Sequence, residues 1–140
     1  MTDVGLVLYK LAQLRRQLRL IVDRRPASAN ELGTNDVVRD ALAMAFLVAV
    51  QQVVDVAYHI VADEGWGVPA SHGEAFADLA DHDVIAGETA RRLRLVAQVR
   101  NRIAHGYTSL DHERFWTELP DGIDVLTRFL QEVAAWLPEP

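Results

Sequence analysis

The chain has 140 residues, half of them hydrophobic and 24% charged, with no cysteine and a net charge of −6. That length suits one domain with a real core, and the missing cysteines exclude disulfides and thiolate metal sites and suit a cytoplasmic protein. The acidic balance argues against a coat for nonspecific nucleic-acid binding. No membrane association is expected, because no apolar run approaches the roughly 20 residues of a span and the start MTDVGLVLYK lacks a secretory pattern.

In chain order, Leu6, Leu8, Leu11, Leu14, Leu18 and Ile21 recur at helical spacing and predict a helix over about residues 3–24. RRPASANELGTND, with its Pro, Ser, Asn and Gly, predicts a loop. Thr34 or Asn35 can cap the next helix, with Asp36 favourable in its first turn. That helix runs to about Glu64 and is apolar nearly all round at Ala41–Val50, so it needs neighbours on both flanks or a second subunit. GWGVPASHG predicts a turn, after which Ser71 and Glu74 make a capping-box pair opening a short helix over about 73–80. Beyond the break DHDVIAGET, Leu93, Val96, Val99 and Ile103 mark a helix over about 88–104, with Gly106 standing as a C-cap glycine. The last segment starts near Asp111, and Pro120 predicts a kink or break near Leu119 before DGIDVLTRFLQEVAAWL resumes. No segment alternates with a strand period. The predicted fold is all-α, a bundle of four or five helices forming one domain over 1–140.

Charge is unevenly spread. Residues 1–25 carry a balance of +4, residues 26–86 of −9, residues 87–107 of +4 and residues 108–140 of −5. Packed side by side, the two basic stretches would form a positive patch. The plainer alternative for Arg15, Arg16 and Arg19 is an ordinary solvated helix face.

The second basic stretch contains RNRIAHGY, Arg100 to Tyr107. Asn101 and His105 are four apart and share a helix face. Arg100 and His105 are about 140° apart around an ideal helix, so they converge if the arginine swings across or the helix unwinds at His105, which Gly106 permits. An arginine fork stabilises charge building on a phosphate, and a histidine takes or gives a proton near neutral pH. Those two groups suffice for metal-free RNA cleavage, in which the 2′-hydroxyl attacks its own phosphate. The reaction needs an acid as well as a base, so a two-fold dimer would supply both histidines. Against this stands the plain reading that basic residues at a helix C-terminus cap carbonyls and meet the dipole. For Tyr107 the plain reading is a packed ring with one hydroxyl partner. Asp55 with His59, and the cluster Asp81, His82 and Asp83, lack a complete ligand set, so no metal and no cofactor is expected. Asp55 and His59 remain candidates to face the cleft. Trp66, Trp116 and Trp136 read as core or interface residues.

RNRIAHGY resembles the R-x-x-x-x-H-x-Y signature of HEPN-domain ribonuclease toxins of the HepT type. VVDVAYHIV, GVPASHGEAFADLADHDVI, LRLVAQVRNRIAHGYTSLD and ELPDGIDVLTRFL are similar to that family's flanking segments, so the resemblance covers most of the chain. It implies a homodimeric HEPN-type bundle acting as the toxin of a type VII toxin–antitoxin system in the cytoplasm. Arg100 and His105 would be the catalytic pair of a metal-independent endoribonuclease, with Asn101 and Arg102 supporting and RNA, in some members tRNA, as substrate. The partner would be an MntA-type nucleotidyltransferase antitoxin that adenylylates Tyr107. The added AMP brings charge and bulk to the cleft mouth and repels RNA. The alternative is a non-catalytic helical binding module that partners a nucleotidyltransferase, which the acidic net charge favours.

Overall fold

The computed structural model describes residues 1–139. The chain forms α1 (Val4–Arg24), α2 (Ala29–Thr34), α3 (Asp36–Glu64), α4 (His72–Asp81), α5 (Gly87–Gly106) and α6 (His112–Trp136), with a 3-10 turn at Tyr107–Ser109. No strand occurs among the described residues.

Local chemistry sets most of these boundaries. The Asp3 carboxylate accepts from the Leu6 amide at 3.1 Å and starts α1, whose buried Val7, Leu11, Leu14, Leu18 and Ile21 follow the 4-3 spacing of one helix face. Asn35 caps α3 through the Val38 amide at 3.1 Å, and Ser71 caps α4 through the Glu74 amide at 3.1 Å, both at the predicted positions. At the end of α3, Gly65 adopts a left-handed φ of 73°. The Trp66 amide then reaches the Val61 carbonyl at 2.9 Å, closing a Schellman turn that an L side chain at residue 65 would strain.

The core sits around α3, which packs against all five other helices and buries twelve of its residues, Phe46, Val53, Val56 and Ile60 among them. Those neighbours meet the demand that its all-round apolarity sets. Contrary to the sequence expectation, α3 is long and apolar enough to cross a bilayer by length and composition; twelve of its residues are taken up by the bundle's own core, while Val37 and Met44 stay exposed.

Three further expectations are corrected. The stretch predicted as a loop contains α2, because Ser28 accepts from the Glu31 amide at 3.2 Å and Leu32 is fully buried. Ser28-Ala29-Asn30-Glu31 has the S-x-x-E spacing of a capping box, and burial of Leu32 between α3 and α6 holds so short a helix. Among the described residues the bundle therefore has six α-helices rather than four or five. Second, Pro120 does not break the last segment: α6 runs unbroken through it. The proline is exposed, while Phe115, Leu119, Leu126, Phe129 and Val133 are buried, and their packing outweighs the lost hydrogen bond. Pro120→Ala restores an amide donor without touching the core and is expected to stabilise the fold by about 1–3 kcal/mol, read as a higher urea midpoint. Third, Gly106 is not left-handed: its φ of −142° leads directly into the 3-10 turn.

The two basic stretches do not form one patch. Helix α1 packs on α3 and α6 and makes no contact with α5 among the described residues. The tryptophans line the edge of the core. Trp66 stacks on His82 at 3.8 Å between ring centres and meets Trp136 edge-on at 6.3 Å. Trp116 donates to the Pro26 carbonyl at 3.4 Å.

Candidate active site

Helix α5 carries the octet, and side-chain ties to α6 fix it along its length. Thr89 donates to the two Glu132 carboxylate oxygens at 3.0 and 2.8 Å, Arg92 pairs with Asp124 at 2.9 Å, and Arg102 pairs with Glu118 at 2.7 Å. Leu93, Val96, Ala97, Val99 and Ile103 are its buried face, which leaves Gln98, Asn101 and His105 on the exposed face. His105 stands at the rim of an open cleft of about 470 Å³, between the end of α5, the 3-10 turn and the start of α6. Val99, Ile103, Leu110 and Phe115 give the cleft an apolar floor, and Arg102, Arg114 and Glu118 give it a charged wall.

Asn101 and His105 share the exposed face that their spacing predicts. Arg100 does not line the cleft. Helix α5 stays helical through His105, so of the two routes to convergence the unwinding does not occur, and the angle of about 140° persists within one chain. Arg100 is half-buried as a residue, and its guanidinium donates through Nη1 to Asn101 Oδ1 at 3.2 Å in an exposed hydrogen bond. Arg102 is engaged: its Nη2 donates to both Glu118 oxygens at 2.8 and 2.7 Å, and Arg114 Nε pairs with the same carboxylate at 3.0 Å.

Tyr107 is half-buried in the 3-10 turn, and its hydroxyl donates to the carboxylate of Asp40 on α3. Burial raises the phenol pKa above its ordinary value, the Asp40 carboxylate raises it further, and the Arg39 guanidinium opposes both. Arg39 is itself fixed by the Gly33 carbonyl at 3.1 Å and by Asp36 at 2.7 Å. Sequence reading did not single out Arg39, Asp40, Arg114 or Glu118. The i, i+4 spacing of Arg114 and Glu118 is visible in the sequence; the Tyr107–Asp40 contact spans 67 positions and leaves no local signal. Asp55 and His59 do not line the cleft; Asp55 binds Lys10 at 3.2 Å, tying α3 to α1, and accepts from Gln51 at 2.8 Å.

Helix α3 also exposes two apolar side chains, Val37 at 78% and Met44 at 60%, seven residues apart and flanking the exposed Asp40. Two helical turns separate them, so they project from the same side.

The bundle is similar in fold to several solved structures. One is a tri-AMPylated HEPN toxin of Shewanella oneidensis in complex with an MNT antitoxin; it is 19% identical with a TM-score of 0.84 over 96% of this chain and 99% of that one. A second, from a mutant MntA–HpeT toxin–antitoxin complex, is 18% identical with a TM-score of 0.83 over 94% and 98% of the two chains. A third is YutE of Bacillus subtilis, a cytosolic protein of unknown function, 15% identical with a TM-score of 0.81 over 97% and 91%. At these identities the likeness shows a HEPN-like fold. Among curated proteins no match reaches significance. The family profile described as "Ribonuclease HepT-like" matches residues 14–133. With that profile spanning most of its length, the chain belongs to the HepT-like ribonuclease family.

Proposed function

We propose that the chain is the toxin of a toxin–antitoxin pair, a metal-independent endoribonuclease acting on RNA in the cytoplasm and neutralised when an MntA-type nucleotidyltransferase attaches AMP to Tyr107. The observation that carries this reading is the exposure of Asn101 and His105 on one side of the last turns of α5, with His105 at the rim of an open cleft. Membership of a ribonuclease family supports it, as does a structural neighbour that is itself AMPylated and bound to an antitoxin.

One His105 takes the proton of a ribose 2′-hydroxyl, whose oxygen attacks the adjacent phosphorus. The bond from phosphorus to the 5′-oxygen breaks, and a second His105 protonates that oxygen. Arg100 stabilises the charge that builds on the phosphoryl oxygens, steadied by Asn101 at 3.2 Å. One chain supplies a single histidine and keeps Arg100 off its cleft, so the complete site needs two copies. A two-fold homodimer supplies that second copy. Arg102, held by Glu118, supports the site by shaping the cleft wall.

Purified protein incubated with total tRNA in EDTA is expected to yield fragments ending in cyclic phosphate. Intact tRNA, messenger and ribosomal RNA after prolonged incubation would overturn the enzymatic reading. The second reading, a non-catalytic module for a nucleotidyltransferase, draws on the net charge of −6 and on the engagement of Arg102 by Glu118. Growth arrest by the isolated chain, relieved by Arg100→Ala, belongs to the ribonuclease alone.

A further inference from the structure

We propose that Asp40 is the general base for nucleotidyl transfer to Tyr107 and that Arg39 receives the phosphate attached there; this rests on the reading of Tyr107 as the AMP acceptor. The Tyr107 hydroxyl points its proton at the Asp40 carboxylate across 67 positions of sequence, which leaves the phenol lone pairs free for a phosphorus. Asp40 is exposed, so a nucleotide held by a partner can approach the pair. The neighbouring Arg39 precedes Asp40 on α3, its head is held by the Gly33 carbonyl and Asp36, and its charge acts on the phenol in opposition to that of Asp40. A fixed guanidinium beside an acceptor oxygen is a preformed seat for a phosphoryl group.

The need for a base follows from the environment. Partial burial favours the neutral phenol, and so does the adjacent carboxylate. A neutral phenol is a weak nucleophile and must lose its proton during attack. In the transfer, Asp40 takes the phenol proton as the Tyr107 oxygen attacks the α-phosphorus of ATP. The bond from that phosphorus to the oxygen bridging the β-phosphate breaks, and pyrophosphate leaves. The product is a tyrosyl-AMP diester whose single negative charge lies beside Arg39.

A merely structural role would make the Tyr107–Asp40 bond a clamp between the 3-10 turn and α3, and the test must separate that clamp from a base. ATP labelled at the α-phosphate is supplied to the chain with its nucleotidyltransferase partner, and the initial rate of label uptake is measured. Asp40→Asn keeps an acceptor oxygen but cannot take the proton, and it is expected to slow labelling by about 10²- to 10⁴-fold. Asp40→Glu is expected to recover part of the rate. Replacing Tyr107 by 3,5-difluorotyrosine, which ionises more readily, is expected to restore labelling in the Asp40→Asn background. Arg39→Gln is expected to slow transfer by about 10-fold or more. Co-purification with the partner establishes that each variant is folded and docked, and Asp40→Ser carries the same test should Asp40→Asn fail to dock. Labelling of Asp40→Asn at the wild-type rate overturns the inference while leaving Tyr107 as acceptor, and so does a slow rate that the fluorinated ring does not restore. A wild-type chain that takes up no label removes the acceptor reading itself, and this inference with it.

Discussion

His105→Ala is expected to lower the rate of RNA cleavage at saturating substrate by about 10²- to 10⁴-fold, the usual contribution of a positioned acid or base. The side chain is exposed at the cleft rim, so its removal leaves no cavity and the fold should be unaffected. Loss of rate with an unchanged melting temperature would then be a loss of chemistry. Arg100→Ala is expected to cost about 10²- to 10³-fold through the missing stabilisation of the phosphoryl charge. Arg100→Lys should recover little, because an ammonium cannot reproduce the bidentate fork. The measurement is the initial rate on end-labelled tRNA in EDTA. A His105→Ala chain that keeps more than about a tenth of the rate would remove the imidazole from the mechanism. A mixed dimer of wild-type and His105→Ala chains adds a test of the paired arrangement: it keeps one histidine where the mechanism uses two, as base and as acid, and is expected to be about as slow as the His105→Ala homodimer.

Phe46→Ala is expected to cause the largest loss of stability, about 3–5 kcal/mol. Phe46 is 2% exposed at the centre of α3 and meets Phe115 of α6 edge-on, with ring centres 5.8 Å apart and planes at 77°. On another side the α6 backbone comes close: a Cβ at Gly122 would lie 3.2 Å from Phe46 Cε2. That approach accounts for a glycine in the interior of a helix, where it otherwise weakens the fold. Truncating the ring empties the junction of α3 and α6 and leaves Phe115, part of the cleft floor, without its partner. A domain of ordinary stability holds about 5–15 kcal/mol in total, so the variant should show a greatly reduced urea midpoint and lose activity in step with its folded fraction. A loss below about 1 kcal/mol would mean that the junction repacks freely.

Both predictions draw on features that differ in how far the sequence announces them. The helices follow from relations between residues one to four apart. The 4-3 spacing of Val7, Leu11, Leu14, Leu18 and Ile21, the caps at Asn35 and Ser71 and the octet at the end of α5 are of this kind. So is the shared face of Asn101 and His105, because a helix fixes angular position once its extent is known. Helix α2 lay within the same range, since Ser28 and Glu31 have the spacing of a cap. The surrounding Pro, Gly and Asn masked it, and burial of Leu32, a tertiary term, decided the outcome.

Pro120 shows the limit of local rules more sharply. Its missing amide argues for a break, and only the buried row from Phe115 to Val133, seated on the rest of the bundle, keeps α6 whole. The separation of the basic helices α1 and α5 depends on which faces meet, because α3 and α6 occupy the space between them. The neighbours of Tyr107 were beyond the reach of sequence for the same reason: Asp40 lies on a helix that reaches the 3-10 turn only through packing. The sequence by itself therefore determined which stretches coil and which side chains share a helix face, because those depend on bonds within one turn. The tertiary structure alone decided which faces are joined, and so which carboxylate holds Tyr107 and which engages Arg102, because burial of apolar surface acts between segments with no fixed separation along the chain.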